Sequence, residues 1–417
     1  MILDAWAGAF QAEEPSAAEQ ELASKYAPIL YMHAQSEGCS DGDPFVPAPV
    51  EIVLDKPSIA LLQTAGELGA VTGPTAADLF AKGDGYYLDF PGDPRSPGCT
   101  YEQDFHAFGG GERAVSYAHI SGERGQRGLA VQYWFFYYFN DWNNRHESDW
   151  EMIQLVFAED TAEEALESEP VLAIYAQHGS AEKAEWSDSK VRKEEGRPVV
   201  YPSSGSHASY FSPSTYLGKG ESGSGFGCDD ASGPYARYEL EAVTVPTRVT
   251  ERDSEFAWLT FRGRWGQELG GHNNGPTGPN TKDKWLEPLS WAESVDRDSN
   301  LKVPDSKGLG LSATDVFCGV VTAGSKALFT AADYWVLSLA AVGAMLGVVG
   351  VSSTALFKDY RRSKREQEMG FVLSRRRSFG GILAAAGRVY RAHWFTWVAI
   401  AAGLLPVAFL LSLVARL

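Results

Sequence analysis

Residues 129–157, LAVQYWFFYYFNDWNNRHESDWEMIQLVF, decide how the rest of the chain is read. From Val131 to Phe139 every residue but Gln132 is aromatic or β-branched, the composition of a strand buried on both faces. Glu151 to Phe157 reads as a second strand. The join, DWNNRHESDWE, gathers Asp141, His146, Glu147, Asp149 and Glu151. On an extended chain Asp149 and Glu151 project to one face and Trp150 to the other. Desolvated carboxylates need a partner. A divalent cation, an arginine or water at an open cleft would serve.

Outward from this hairpin, short β-like runs alternate with Gly, Pro, Ser and Asp turns. AVSYAHI and LAVQYWFFYYF flank SGERGQRG as a hairpin, and PVLAIYAQH, RPVVYP, YELEAVTV and FAWLTFRGRWG add strands. Helical periodicity is confined to TAADLFAKG and TAEEALES. The expected fold is an all-β sandwich-like globular domain, residues 25–306, followed by a two-helix transmembrane hairpin. Residues 1–24 are expected as a short leader, disordered or helical, without the basic start of a secretory signal. Residues 307–334 read as a linker.

The end of the chain changes character. Residues 335–357 and 394–414 lack charge and are each long enough to cross a hydrocarbon core of about 30 Å. Trp335, Trp394 and Trp397 stand near their ends, as interfacial anchors do. Between them, residues 358–391 carry ten Lys or Arg against three acids, which predicts a cytoplasmic loop at 358–393. The expectation is an integral membrane protein with its globular domain extracytoplasmic. The net charge of −18 leaves the preceding part strongly acidic and excludes nucleic acid as a partner. Cys39, Cys99, Cys228 and Cys318 form no C-x-x-C pair; two disulfides suit an exported domain, with three pairings open.

Several motifs resemble the vacuolar protein sorting-associated protein 62 family. They are Tyr133, Trp134, Phe136 and Tyr138 leading to His146, Asp149, Trp150 and Glu151, with YAPILYMH, PFVPAPVEIVL, IYAQHG and PVVYPSSGSHASYF. The agreement spans residues 25–285. The H-x-x-D-W-E core is also similar to the G-H-R-H-D-W-E heptapeptide of the necrosis-inducing toxin family, with Arg145, Glu147 and Ser148 departing from it. That second resemblance implies an oxygen-bound divalent ion at His146, Asp149 and Glu151, with Asp141 a looser candidate.

With His178 after IYAQ and His207 in SSGSHASY, the expected metal set is His146, Asp149, Glu151, His178 and His207. The carboxylates favour Mg²⁺, Ca²⁺ or Mn²⁺ and the histidines Zn²⁺; no organic cofactor is expected. Ser204 or Ser206 beside His207 lacks the strand-to-helix elbow of a nucleophile. The expected function is a non-enzymatic, membrane-anchored surface binding module with a divalent-metal or polar site, taking a glycan, lipid or protein. The alternatives are a metal-assisted hydrolase, with Glu151 or His178 as base, and a membrane-active toxin relative.

Overall fold

Strands Leu129–Asn140 and His146–Phe157 pair antiparallel, from Leu129 opposite Phe157 to Asn140 opposite His146. Every residue of both strands is buried. The computed structural model describes residues 14–39, 42–64, 70–219, 226–269, 273–296, 299–303, 316–325 and 343. All but the last belong to one unit, Met1–Lys326. It is a β-rich globular domain with few helices.

The hairpin is the middle of a six-stranded sheet. Val115–Ser121 and then Glu241–Thr244 extend it on one side, Leu172–Gln177 and Ser180–Glu185 on the other. Neighbours run antiparallel except Glu241–Thr244, which is parallel to Val115–Ser121. A second sheet joins Lys193–Glu194, Arg197–Pro202, Ile29–His33 and Tyr235–Glu239, with Ser209–Tyr210 added to Arg197–Pro202.

The two-sided burial has two different covers. One face presents Trp134, Phe136 and Trp150 to Trp258, Trp265 and Trp285, which come from the segments after the second sheet. The other face meets the second sheet: the Tyr175 hydroxyl donates to Val199 O (3.0 Å), and the Tyr175 ring stacks on Phe211 at 3.9 Å. A strand covered on both sides has no solvent face to fill with polar residues, hence the unbroken aromatic run. Burying each Phe of that run contributes about 1.5–3 kcal/mol.

On the Trp-covered face a ladder of polar side chains is paired. His119 Nδ1 lies 3.0 Å from Gln132 Oε1, Gln132 Nε2 donates to Gln154 Oε1 (2.7 Å), and Gln154 Nε2 donates to Pro288 O (2.9 Å). This ladder crosses three strands and fixes helix Pro288–Ser294 to the sheet. The His119 ring also stacks flat on Trp285, 3.7 Å between centroids.

Several expectations are corrected. Residues 146–150, read as part of a join, are strand. FAWLTF is not a strand: Ala257–Thr260 is a 3-10 turn that delivers Trp258 to the sheet. The expected leader contains helix Ala17–Lys25, started by a Ser16–Glu19 capping box and docked through buried Leu22 and Ala23. Within the expected linker, residues 316–325 are helical. The expected two disulfides are borne out, as Cys39–Cys99 and Cys228–Cys318 among the three open pairings.

The integral-membrane placement is also corrected. Among the described residues no helix is long and apolar enough to cross a membrane. The segments on which that expectation rested, 335–357, 358–393 and 394–414, lie outside the described residues apart from Gly343.

Candidate functional site

At one end of the central hairpin the alternation of side chains is broken. Ser148 adopts a left-handed backbone, φ 51°. Glu147 therefore turns to the Trp-covered face, where Oε2 accepts the amides of Phe90 (3.0 Å) and Gln267 (2.8 Å) and Oε1 accepts the Tyr101 hydroxyl (3.0 Å). Burial pushes the Glu147 carboxyl up to about 8 against those hydrogen bonds. Gly266 packs directly on it, since an added Cβ would stand 2.6 Å from Glu147 Cβ.

Beyond the break, Asp149 points to the second sheet. Its Oδ2 lies 3.0 Å from His207 Nδ1, and His207 Nε2 lies 3.3 Å from Asp43 Oδ2, an ion pair not aligned as a hydrogen bond. Asp43 also accepts the amides of Phe45 (3.0 Å) and Gly205 (3.1 Å), which ties the loop after Ile29–His33 to the turn carrying His207. His207 is wholly buried and stacks on Tyr137, 3.8 Å between centroids. Burial alone would lower its pKa; Asp43 and Asp149 outweigh this and hold it at about 9. It is an imidazolium bridging two carboxylates.

A second pair stands beside the first. His178 Nε2 lies 2.9 Å from Asp229 Oδ2. Asp229, fully buried, also accepts the hydroxyls of Ser206 (2.8 Å) and Tyr210 (2.6 Å). Burial lowers the His178 pKa, but Asp229 overrides it and raises it to about 9. The His178 ring faces Trp142 at 4.5 Å. His178 and His207 both hold φ 54°. With Ser148, that puts three non-glycine left-handed residues at one site, and such strain gathers where geometry is specified by the surroundings.

Glu151 is the group left over. It is buried, and its Oε2 has no hydrogen-bond partner. Burial, and then the charge of Asp149, raise its carboxyl to about 8. The Tyr137 hydroxyl is likewise buried without a partner. Burial raises that phenol too, with further contributions from Asp43, Glu151 and Asp149.

Four of the five expected ligands thus gather here, in altered roles. Asp149 and Glu151 share a face as read; His207 and His178 are committed to carboxylates. His146 lies at the start of its strand with Nδ1 2.7 Å from Ser148 O, its pKa lowered by burial. Asp141 is exposed and pairs with Arg145 (2.5 Å). Ser206 donates to Asp229 and not to an imidazole. Three ligating atoms within 4.8 Å of one another occur, among the described residues, at Cys39, Cys99 and Glu102 and not within this set. The sequence reading missed Asp43 and Asp229, and it named Glu147 and held Tyr137 only as members of the polar join and the aromatic run. Asp43 stands just before the PFVPAPVEIVL run.

No family model and no curated protein matches the chain. Among solved structures, NLPPya in complex with mannosamine is similar at 14% identity, covering 67% of this chain and 92% of that one, with a TM-score of 0.34. A structure described as "Toxin fold for microbial attack and plant defense" has 16% identity, 66% and 92% coverage and a TM-score of 0.34. Necrosis and Ethylene inducing Protein 2, from the causal agent of cocoa's Witches Broom disease, has 14% identity, 46% and 64% coverage and a TM-score of 0.22. These are necrosis-inducing toxin-fold proteins, and none supports the vacuolar protein sorting resemblance. At such TM-scores they carry no argument about this chain's activity.

Proposed function

We propose that the β-rich unit is a binding module whose recognition site is the Asp149–Glu151 face, and that it takes a divalent cation through carboxylate oxygens. The buried, unpartnered Oε2 of Glu151 beside Asp149 carries this reading. Four carboxylates, Asp43, Asp149, Glu151 and Asp229, meet two imidazoliums, His178 and His207. The Glu151 carboxyl, which burial and Asp149 hold protonated up to about pH 8, would give up its proton to a bound dication. Both nitrogens of His207 face carboxylates, so it supplies counter-charge and not a metal bond. An oxygen-only ligand set favours Mg²⁺, Ca²⁺ or Mn²⁺ over Zn²⁺.

Thermal melting of the purified protein with chelator and then with each ion tests this. An ion bound only to the folded state stabilises it by about 2.7 kcal/mol at a hundredfold excess over its dissociation constant. Glu151→Gln should abolish the response, and should raise the metal-free melting temperature by removing a buried unpaired carboxylate. A chelator-insensitive melt with no metal in the protein, or an unchanged response in Glu151→Gln, overturns the reading.

A further inference from the structure

The cysteine pair farther up the chain combines three features that the other pair lacks. Cys39 is exposed and holds a left-handed backbone, φ 59°. Cys99 occupies the N-cap of helix Thr100–Ala107. Glu102, in the first turn of that helix, accepts the Cys39 amide on both carboxylate oxygens (2.9 Å each) and Gln35 Nε2 (2.9 Å). Ligating atoms of Cys39, Cys99 and Glu102 lie within 4.8 Å of one another. Among the described residues, no carboxylate or imidazole completes such a group at Cys228–Cys318.

We propose that Cys39, Cys99 and Glu102 form a redox-gated site for a thiophilic divalent cation, closed as a disulfide and opened by reduction. A dithiol or phosphine reductant supplies two electrons to the S–S bond, and each sulfur takes one proton. A dication then binds both sulfurs as thiolates and releases those two protons. The Cα atoms stand 5.5 Å apart. Tetrahedral Zn–S bonds of about 2.3 Å separate two sulfurs by about 3.8 Å, within reach of side chains on that backbone spacing. Glu102 supplies the third ligand, and water the fourth.

Glu102 also decides between this and simple thiol–disulfide exchange. A carboxylate beside two thiols disfavours free thiolates, the species that exchange requires. A bound dication removes the conflict, because it attracts all three anionic groups. The consequence is mechanical. Cys39 stays tied to helix Thr100–Ala107 either by the disulfide or by the ion.

Cadmium is the probe, because its thiolate charge-transfer absorption reports sulfur ligation and ignores an oxygen-only site. The full chain carrying Cys228→Ser and Cys318→Ser, reduced with a phosphine and freed of it, should bind one cadmium per chain with that absorption. The oxidised form should bind none through sulfur. Adding Cys39→Ser should remove the band. Glu102→Gln, which leaves both cysteines intact, should weaken binding by about tenfold or more. Should the serine background fail to fold, the same comparison of Glu102→Gln with the parent in the four-cysteine chain decides the point. Absence of the band after reduction, equal uptake by the oxidised protein, or unweakened binding by Glu102→Gln overturns the proposal.

Discussion

Tyr137 and His207 stack with 7° between their planes. A ring from the central hairpin thereby fixes the imidazole that joins Asp43 to Asp149. The orientation of that imidazole belongs to the core of the domain and not to the loop that carries it.

His207→Gln should therefore be costly. It leaves Asp43 and Asp149 facing each other without counter-charge. Removing one partner of a buried ion pair costs about 3–5 kcal/mol. Chemical denaturation of variant and parent measures the difference, and a divalent ion should restore part of the loss if it neutralises the same carboxylates.

Alkali should loosen the domain through the same cluster. The raised pKa of His178 and His207, about 9 each against 6.5, means that their contribution is complete below about pH 6.5 and is lost as pH rises through 9. Glu151, raised to about 8 from 4.5, acts in the same direction, since the folded state holds a proton that the unfolded chain has released. Melting temperature should fall steadily from pH 6.5 to 9, and the slope should flatten in Glu151→Gln.

Acid should act at the opposite face. His119, buried against Trp285 and hydrogen-bonded to Gln132, titrates near 4, pushed down by burial. The unfolded chain binds a proton at this residue below about 6.5 and the folded one does not, so stability falls as pH drops from 6.5 to 4. The shift corresponds to about 3 kcal/mol. His119→Phe keeps a ring on Trp285, and its stability should decline less over that interval.

Gly266→Ala should be among the most damaging single-methyl additions. The new Cβ would meet Glu147 O at 2.4 Å and Glu147 Cβ at 2.6 Å. Overpacking of this kind costs about 1–3 kcal/mol. Because Glu147 anchors the strand where Ser148 reverses its side chains, the cation response should weaken along with stability. Denaturant midpoints and ion titrations on one preparation report both.

The fold was legible where one strand carried its own explanation. The aromatic run 131–139 could only be a two-sided core strand, and the spacing of Asp149, Trp150 and Glu151 gave their faces. TAADLFAKG and TAEEALES read as helical, and helices stand there, capped by Thr75 and Thr161. The charge partners were not legible. Asp43 and Asp229 reach His207 and His178 from distant strands and loops, and nothing local distinguishes them from any other surface aspartate. Nor did the sequence announce Ser148: its left-handed backbone stands between Glu147, bonded on one side, and Asp149, paired with His207 on the other, without a glycine as signal. FAWLTF was misread because aromatic content alone does not separate a strand from a turn that packs on one.

The central hairpin also sets the order in which the chain can assemble. Only the five residues 141–145 separate its two strands, so closing that loop costs little entropy. The parallel pairs, Ile29 with Val199 and Glu241 with Val115, must wait for ends more than a hundred residues apart. Stopped-flow refolding should place Ile153→Val among the substitutions that slow folding, while Val199→Ala should chiefly speed unfolding. The strands that carry the acidic face would then be in place before the second sheet, which brings His207.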